Sequence, residues 1–179
     1  MERNIWWLMD SLKDSHPVSQ GSWEDKILLF FATTAYAGYV PYAPGTFATL
    51  VVAVPIYFAF ALLPHPFYVY ALFVFFWLAC YVSHKAEIIL QEKDSSKIVI
   101  DEAVGYLTAM VYLPNHWLII LLAFVLFRFF DILKIYPANL IEKKVPGGLG
   151  VVLDDVMAGV YANICLQVLV ALWPDILCV

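Results

Sequence analysis

At 179 residues the chain is long enough for one domain, and its composition (63% hydrophobic, 17% aromatic, 14% charged) lies outside the soluble class, in which apolar residues run near ~45–50% and charged ones near ~25%. Its mean hydropathy of +0.81 agrees with a membrane protein. The net charge of −5 leaves no basic stripe to neutralise phosphates, which excludes a nucleic-acid partner.

Residues 1–25 read as a cytoplasmic or interfacial tail, with Trp6, Trp7, Leu8 and Met9 as an amphipathic anchor; residues 26–179 read as a single membrane-embedded domain. The tail carries Glu2, Asp10, Asp14, Glu24 and Asp25 and has no signal-peptide pattern. Ile27 to Val40 is apolar but 14 residues long, too short to span, and predicts an interfacial or re-entrant helix before a Pro/Gly turn. Phe47 to Leu63 is a first span, Pro64-His65-Pro66 a turn, and Phe67 to Ser83 a second span whose helical period continues towards Asp94-Ser95-Ser96. Ile98 to Leu113 is a third and short segment, about 24 Å as a helix. Pro114-Asn115 turns into a fourth, His116 to Lys134. A loop is expected over 135–153 and a last span over Asp154 to Trp173. The expected architecture is an all-α, polytopic integral membrane helix bundle of about five membrane segments. Cys80, Cys165 and Cys178 lack metal-ligand spacing and read as small hydrophobes.

The ten Lys and Arg residues fall in the tail, in the connection after the second span, or around the connection after the fourth. The turns at 64–66 and 114–115 contain none. The positive-inside rule then places the N-terminus in the cytoplasm, with five crossings and an outer C-terminus. In that topology Asp101 and Glu102 begin one helix, Arg128 and Asp131 finish the next, and Asp154 and Asp155 begin the last, all at the cytoplasmic face. Arg128 and Asp131, three apart, share a helix face. Asp155, Gly159 and Asn163, spaced by four, form a polar and small-residue stripe suited to facing a neighbouring helix.

Carboxylates gathered at one depth repel unless a cation lies between them, and hard oxygen ligands favour Mg²⁺, completed by waters and substrate phosphate. Asp101, Glu102, Asp131, Asp154 and Asp155 are the candidate metal ligands, one of them alternatively a general base. Arg128 and Lys134 are the candidate phosphate contacts, Arg128 by its bidentate fork. A purely structural Arg128–Asp131 pair explains those two residues equally well, but not the convergence of acids from three helices. Pro44-Gly45-Thr46 and Gly147-Gly148-Leu149-Gly150 precede helices, where backbone N–H groups favour anions. That makes Gly45, Thr46, Gly147, Gly148 and Gly150 candidates for holding phosphate, although a plain turn accounts for each loop alone.

Other phosphatase chemistries lack their residues. No cysteine has an Arg six positions on, no Asp-x-Asp pair exists, and His16, His65, His84 and His116 are scattered. A small transporter with intramembrane carboxylates as an ion-coupling site is the alternative class; it requires acids near mid-membrane rather than at one face. The acidic signature of CDP-alcohol phosphotransferases is missing.

Four blocks closely resemble the bacterial phosphatidylglycerophosphatase A family, in that family's order. They are Gly38-Tyr39-Val40-Pro41-Tyr42-Ala43-Pro44-Gly45-Thr46; Asp94 through Gly105 with Asp101-Glu102; Phe127-Arg128-Phe129-Phe130-Asp131-Ile132-Leu133-Lys134; and Gly147 through Gly159 with Asp154-Asp155. The resemblance implies an integral enzyme of the bacterial cytoplasmic membrane that hydrolyses phosphatidylglycerophosphate to phosphatidylglycerol and phosphate, with Mg²⁺. It also implies membrane lipids as surroundings and an active site on the cytoplasmic side. Two departures stand out. Lys134 is followed by Ile135-Tyr136-Pro137 where the family often has Lys-Pro-x-Pro, and Ala48-Thr49-Leu50 stands where the family often has Gly-Ser-Leu.

Overall fold

A computed structural model describes residues 22–92 and 95–173. The tail anchor at Trp6 to Met9, Asp94 of the second block and the end of the chain after Trp173 lie outside the described residues. Helices and turns make up the described chain, with no strand among the described residues. Helix α1 spans Trp23–Ala32, α2 Pro44–Phe60 with a π-helical turn at Thr49–Ala53, and α3 His65–Leu90. Helix α4 spans Ile100–Ala109, α5 Trp117–Leu133, α6 Ala138–Lys144 and α7 Gly148–Leu172.

Local chemistry sets several of these boundaries. Ser22 and Asp25 form a reciprocal capping box that starts α1, each side chain satisfying a backbone N–H that the helix cannot. Pro44 begins α2, where its missing N–H costs nothing. Gln91 ends α3 in a left-handed conformation. The interfacial helix expected over 27–40 is shorter than that span and starts earlier. After Ala32 the chain turns through Thr34, Ala35 and Tyr36 at positive φ and a 3-10 turn at Ala37–Tyr39.

Two helices, α3 and α7, are long and apolar enough to cross a membrane; their 26 and 25 residues make them about 39 and 38 Å long against ~30 Å of hydrocarbon. Helix α4 does not fit the membrane-spanning length expected of the third segment. Its 10 residues rise only about 15 Å. It is instead the central helix, with Ala103, Val104, Tyr106, Leu107 and Ala109 all buried, and it is packed against α2, α3, α5 and α7.

A buried helix end must satisfy its last carbonyls from elsewhere, and the accounting at the end of α4 is complete. Met110 N–H donates to the Tyr106 and Leu107 carbonyls, and Val111 N–H to that of Thr108. Tyr68 Oη of α3 donates to Leu107 O at 2.7 Å, and Asn163 Nδ2 of α7 donates to Ala109 O and Val111 O at 2.9 and 2.8 Å. The expected Asp155–Gly159–Asn163 stripe does face α4. A Cβ on Gly159 would strike the Gly105 carbonyl, and one on Gly105 would lie 2.8 Å from the Asp155 carbonyl.

Large apolar side chains point outwards, including Phe73, Trp77 and Tyr81 of α3 and Leu121, Val125 and Phe129 of α5. The inward face of α3 carries Ala79, Cys80, Val82, Ser83 and Ala86. Small residues inside and large apolar ones outside suit packing against hydrocarbon, where close backbone approach rather than water exclusion joins helices. Gly159→Ala is therefore expected to force α4 and α7 apart and cost about 1–3 kcal/mol. Thermal unfolding in detergent measures it, and an unchanged midpoint would refute the close crossing.

Candidate active site

At one end of the bundle a cavity of about 240 Å³ opens between α2, α4, α5, α7 and the 95–98 connection. Helices α2, α4 and α7 run away from it and α3 and α5 run back. The turns at 61–65 and 110–115 meet at the far end around a second cavity.

Each element delivers its polar groups for a local reason. Asp101 and Glu102 lie in the first turn of α4, where N–H groups and the helix dipole favour carboxylates. Arg128 and Asp131 lie near the end of α5, and Lys134 follows as its left-handed cap at φ 43°. Helix α7 begins at Gly148, earlier than the expected Asp154 start, and α6 occupies part of the expected 135–153 loop. Asp154 and Asp155 thus stand about 9–10 Å inside the helix, too far in to act as its cap.

All seven ionisable residues singled out from the sequence line the cavity: Asp101, Glu102, Arg128, Asp131, Lys134, Asp154 and Asp155. Gly45 lines it too. Thr46 and the Gly147, Gly148 and Gly150 group do not. The glycines at the start of α7 instead allow it to abut α3 and α6. A Cβ on Gly148 would strike the Cys80 carbonyl and the His84 backbone, and one on Gly150 would strike the Val145 carbonyl. Gly147, at φ 72°, stands beside the His84 ring.

The ionisable groups are largely withdrawn from solvent. Asp101, Asp154 and Asp155 are 8%, 6% and 5% exposed. Arg128 Nη1 pairs with Glu102 Oε2 and with Asp131 Oδ2, the latter at 2.8 Å. Lys134 Nζ pairs with Asp154 Oδ2 at 2.8 Å, and Asp155 N–H donates to Asp154 Oδ1 at 3.1 Å. Among the residues lining the cavity, three buried polar atoms have no partner: Asp101 Oδ1, Asp155 Oδ2 and Arg128 Nε. Asp155 also feels the charges of Asp101, Asp131, Glu102 and Asp154. Five carboxylates against two cations leave a formal excess of three negative charges around one small cavity.

Such an arrangement calls for a cation. Among the described residues no three His, Cys, Asp or Glu side chains close around a single metal position. The donor set nevertheless fits Mg²⁺, which commonly uses one or two carboxylates and fills its other positions with water and phosphate oxygens. The bare oxygens of Asp101 and Asp155 are two such carboxylate donors.

Sequence reasoning overlooked Thr49, Ser95 and Ser96. Thr49 Oγ1 lies 2.8 Å from Gly45 O and 3.2 Å from Glu102 Oε2; its signal was a hydroxyl four residues beyond Gly45. Ser95 and Ser96 line the cavity, and the Ser95 hydroxyl donates to Glu92 Oε2 at 2.8 Å. That bond, with the charge of Lys97, holds the Glu92 carboxyl below its ordinary value.

The family model described as Phosphatidylglycerophosphatase A matches residues 30–170. A phosphatidylglycerophosphatase A of Haemophilus influenzae is 36% identical over 129 residues, covering 72% of this chain and 79% of that protein. The Escherichia coli protein of the same name is 30% identical over 139 residues, 77% of this chain and 80% of its own length. A Bacteroides thetaiotaomicron protein, provisionally named a phosphatidylinositol-3-phosphatase, is 37% identical over 140 residues, 74% of this chain and 86% of its own length. No solved structure matches the chain.

Removing Arg128 leaves Glu102 and Asp131, each with 13% of its side chain exposed, without their cation. Arg128→Met is expected to cost about 3–5 kcal/mol, the range for breaking one side of a buried ion pair. Adding Glu102→Gln should recover part of it. Unfolding of the two variants in detergent checks this, and a single variant as stable as the parent would show that the pair carries no such burden.

Proposed function

The chain belongs to the phosphatidylglycerophosphatase A family, and from that premise we propose that it hydrolyses phosphatidylglycerophosphate to phosphatidylglycerol and phosphate, with Mg²⁺ held among its carboxylates. The observation that carries this reading is the cavity with a formal excess of three negative charges, in which two buried carboxylate oxygens lack donors. Carboxylates alone would repel a phosphate monoester; carboxylates with a divalent cation attract it.

Asp101 and Asp155, whose buried oxygens lack donors, would hold the metal. Mg²⁺ bound there supplies a Lewis acid for phosphoryl oxygens and a water of lowered pKa. Arg128 contributes its unpartnered Nε–H to the phosphoryl group, where charge builds during transfer. Lys134, at the rim with a third of its side chain exposed, meets the same phosphate. Glu102, Asp131 and Asp154 balance these two cations until phosphate arrives. A cavity of about 240 Å³ is smaller than the ~300–1,000 Å³ that encloses a drug-sized ligand. It accepts a phosphorylated head and leaves the acyl chains outside, against the apolar flanks of the helices.

The membrane placement follows from charge. Arg128 and Lys134 line the cavity, and none of the ten Lys and Arg residues falls in the far-end turns. The positive-inside rule puts the cavity at the cytoplasmic face of a bacterial inner membrane. The chain crosses five times, through α2, α3, α5, α7 and the short α4 extended by residues 110–116. Acids gathered at one end do not fit a transport path open to both faces.

Purified protein incubated with phosphatidylglycerophosphate and Mg²⁺ should release phosphate, and EDTA should stop it. Asp101→Asn and Asp155→Asn should each lower turnover by about 10²-fold or more without loss of folding. No release would overturn the activity, EDTA-resistant release would overturn the metal, and near-parental turnover in both variants would overturn the site. Phosphatidylinositol 3-phosphate, offered in parallel because of the Bacteroides relative's name, should be the poorer substrate; preference for it would overturn the head-group assignment.

A further inference from the structure

Helix α2 contributes no ionisable group to the cavity, yet it touches the ion pairs at one place. Gly45 and Thr49, one helical turn apart, form a seat for the Glu102 carboxylate. A Cβ on Gly45 would strike that carboxylate and come within 3.0 Å of Arg128 Nη1. Thr49 is fully buried, and the π-helical turn begins at it; widened turns of this kind recur at functional sites.

A threonine inside a helix ordinarily bonds back to the carbonyl four residues earlier, and Thr49 does so with Gly45 O at 2.8 Å. The same proton is shared with a second and unusual acceptor, Glu102 Oε2 of another helix, at 3.2 Å. The same Oε2 receives Arg128 Nη1, and that Nη1 also meets Asp131 Oδ2 at 2.8 Å. Glu102 and Asp131 therefore both meet the guanidinium at Nη1, while its buried Nε has no partner. The orientation of Arg128 depends on where Glu102 is held, and Glu102 rests on Gly45 and Thr49.

Building on the proposed phosphatase reading, we infer that Thr49 is a positioning residue, whose hydroxyl seats Glu102 so that the Glu102–Arg128–Asp131 relay presents Arg128 Nε to the phosphoryl group. Thr49 itself touches no substrate.

Arg3 and Arg128 are the chain's two arginines, so ¹⁵N-arginine labelling of the full-length protein in detergent isolates the Arg128 side chain. Arg3→Lys assigns the signals. Thr49→Val, which keeps the shape and loses the hydroxyl, should displace or broaden the Arg128 Nε–H resonance. It should also lower kcat about 10- to 100-fold, the loss of one hydrogen bond to a charged group, with KM changed little. Thr49→Ser should restore both. Gly45→Ala, which crowds the same seat while sparing the hydroxyl, should displace the same resonance. An unmoved Arg128 signal in Thr49→Val, or a Thr49→Ser variant as impaired as Thr49→Val, would overturn the inference. A parent protein inactive on the lipid would overturn the phosphatase reading, and the Arg128 resonance would still decide whether Thr49 holds the seat.

Discussion

Carboxylates taken out of water must be paired, bonded or bound to a cation, because an isolated buried charge costs several kcal/mol even after the protein relaxes. Three helix segments of this chain put five of them into one small cavity, and much of the molecule is arranged to make that tolerable. Arg128 stands between Glu102 and Asp131, and Lys134 covers Asp154. What these leave over is the charge excess and the bare oxygens of Asp101 and Asp155. That shortfall is what the proposed divalent cation and phosphate would relieve.

Helix α4 is the element that makes the arrangement possible. Its first turn carries Asp101 and Glu102 into the cavity, and its last turn hands its carbonyls to Tyr68 of α3 and Asn163 of α7. Gly105 and Gly159 let α4 and α7 cross closely, which fixes Asp155 relative to Asp101. Helix α4 is too short to reach across a bilayer alone, and its neighbours α3 and α7 satisfy carbonyls at its C-terminal end. A helix with that many side-chain partners is a rigid support, and rigid support is what a preorganised site needs.

The backbone around the cavity is less relaxed. Ala43 and Lys134, both lining it, hold left-handed conformations at φ 47° and 43°. Each costs of order 1–2 kcal/mol for a residue with a Cβ. Lys134 is turned back towards Asp154 by that conformation, and Ala43 turns the chain into Pro44 and Gly45. Strain of this kind gathers at functional sites; around the cavity it lies where the chain enters α2 and leaves α5, while Thr34 to Tyr36, Gln91 and Tyr112 take the same conformation at turns elsewhere.

Composition, hydropathy and the one-sided distribution of Lys and Arg were enough to read an apolar helical protein with its acids at one end. The spacing of Arg128 to Asp131 and of Asp155, Gly159 and Asn163 was enough to tell which faces meet, because a helix repeats every 3.6 residues whatever surrounds it. Tertiary structure decided the rest. It made α4 a short central helix, Ile100–Ala109, in place of the longer segment expected over 98–113, since burial among four neighbours depends on partners far along the chain. It moved the start of α7 back to Gly148 and gave its glycines to helix packing. It brought Thr49, 53 positions from Glu102, against that carboxylate. No local pattern encodes a contact between residues so far apart in the chain; only the packing of α2 on α4 creates it.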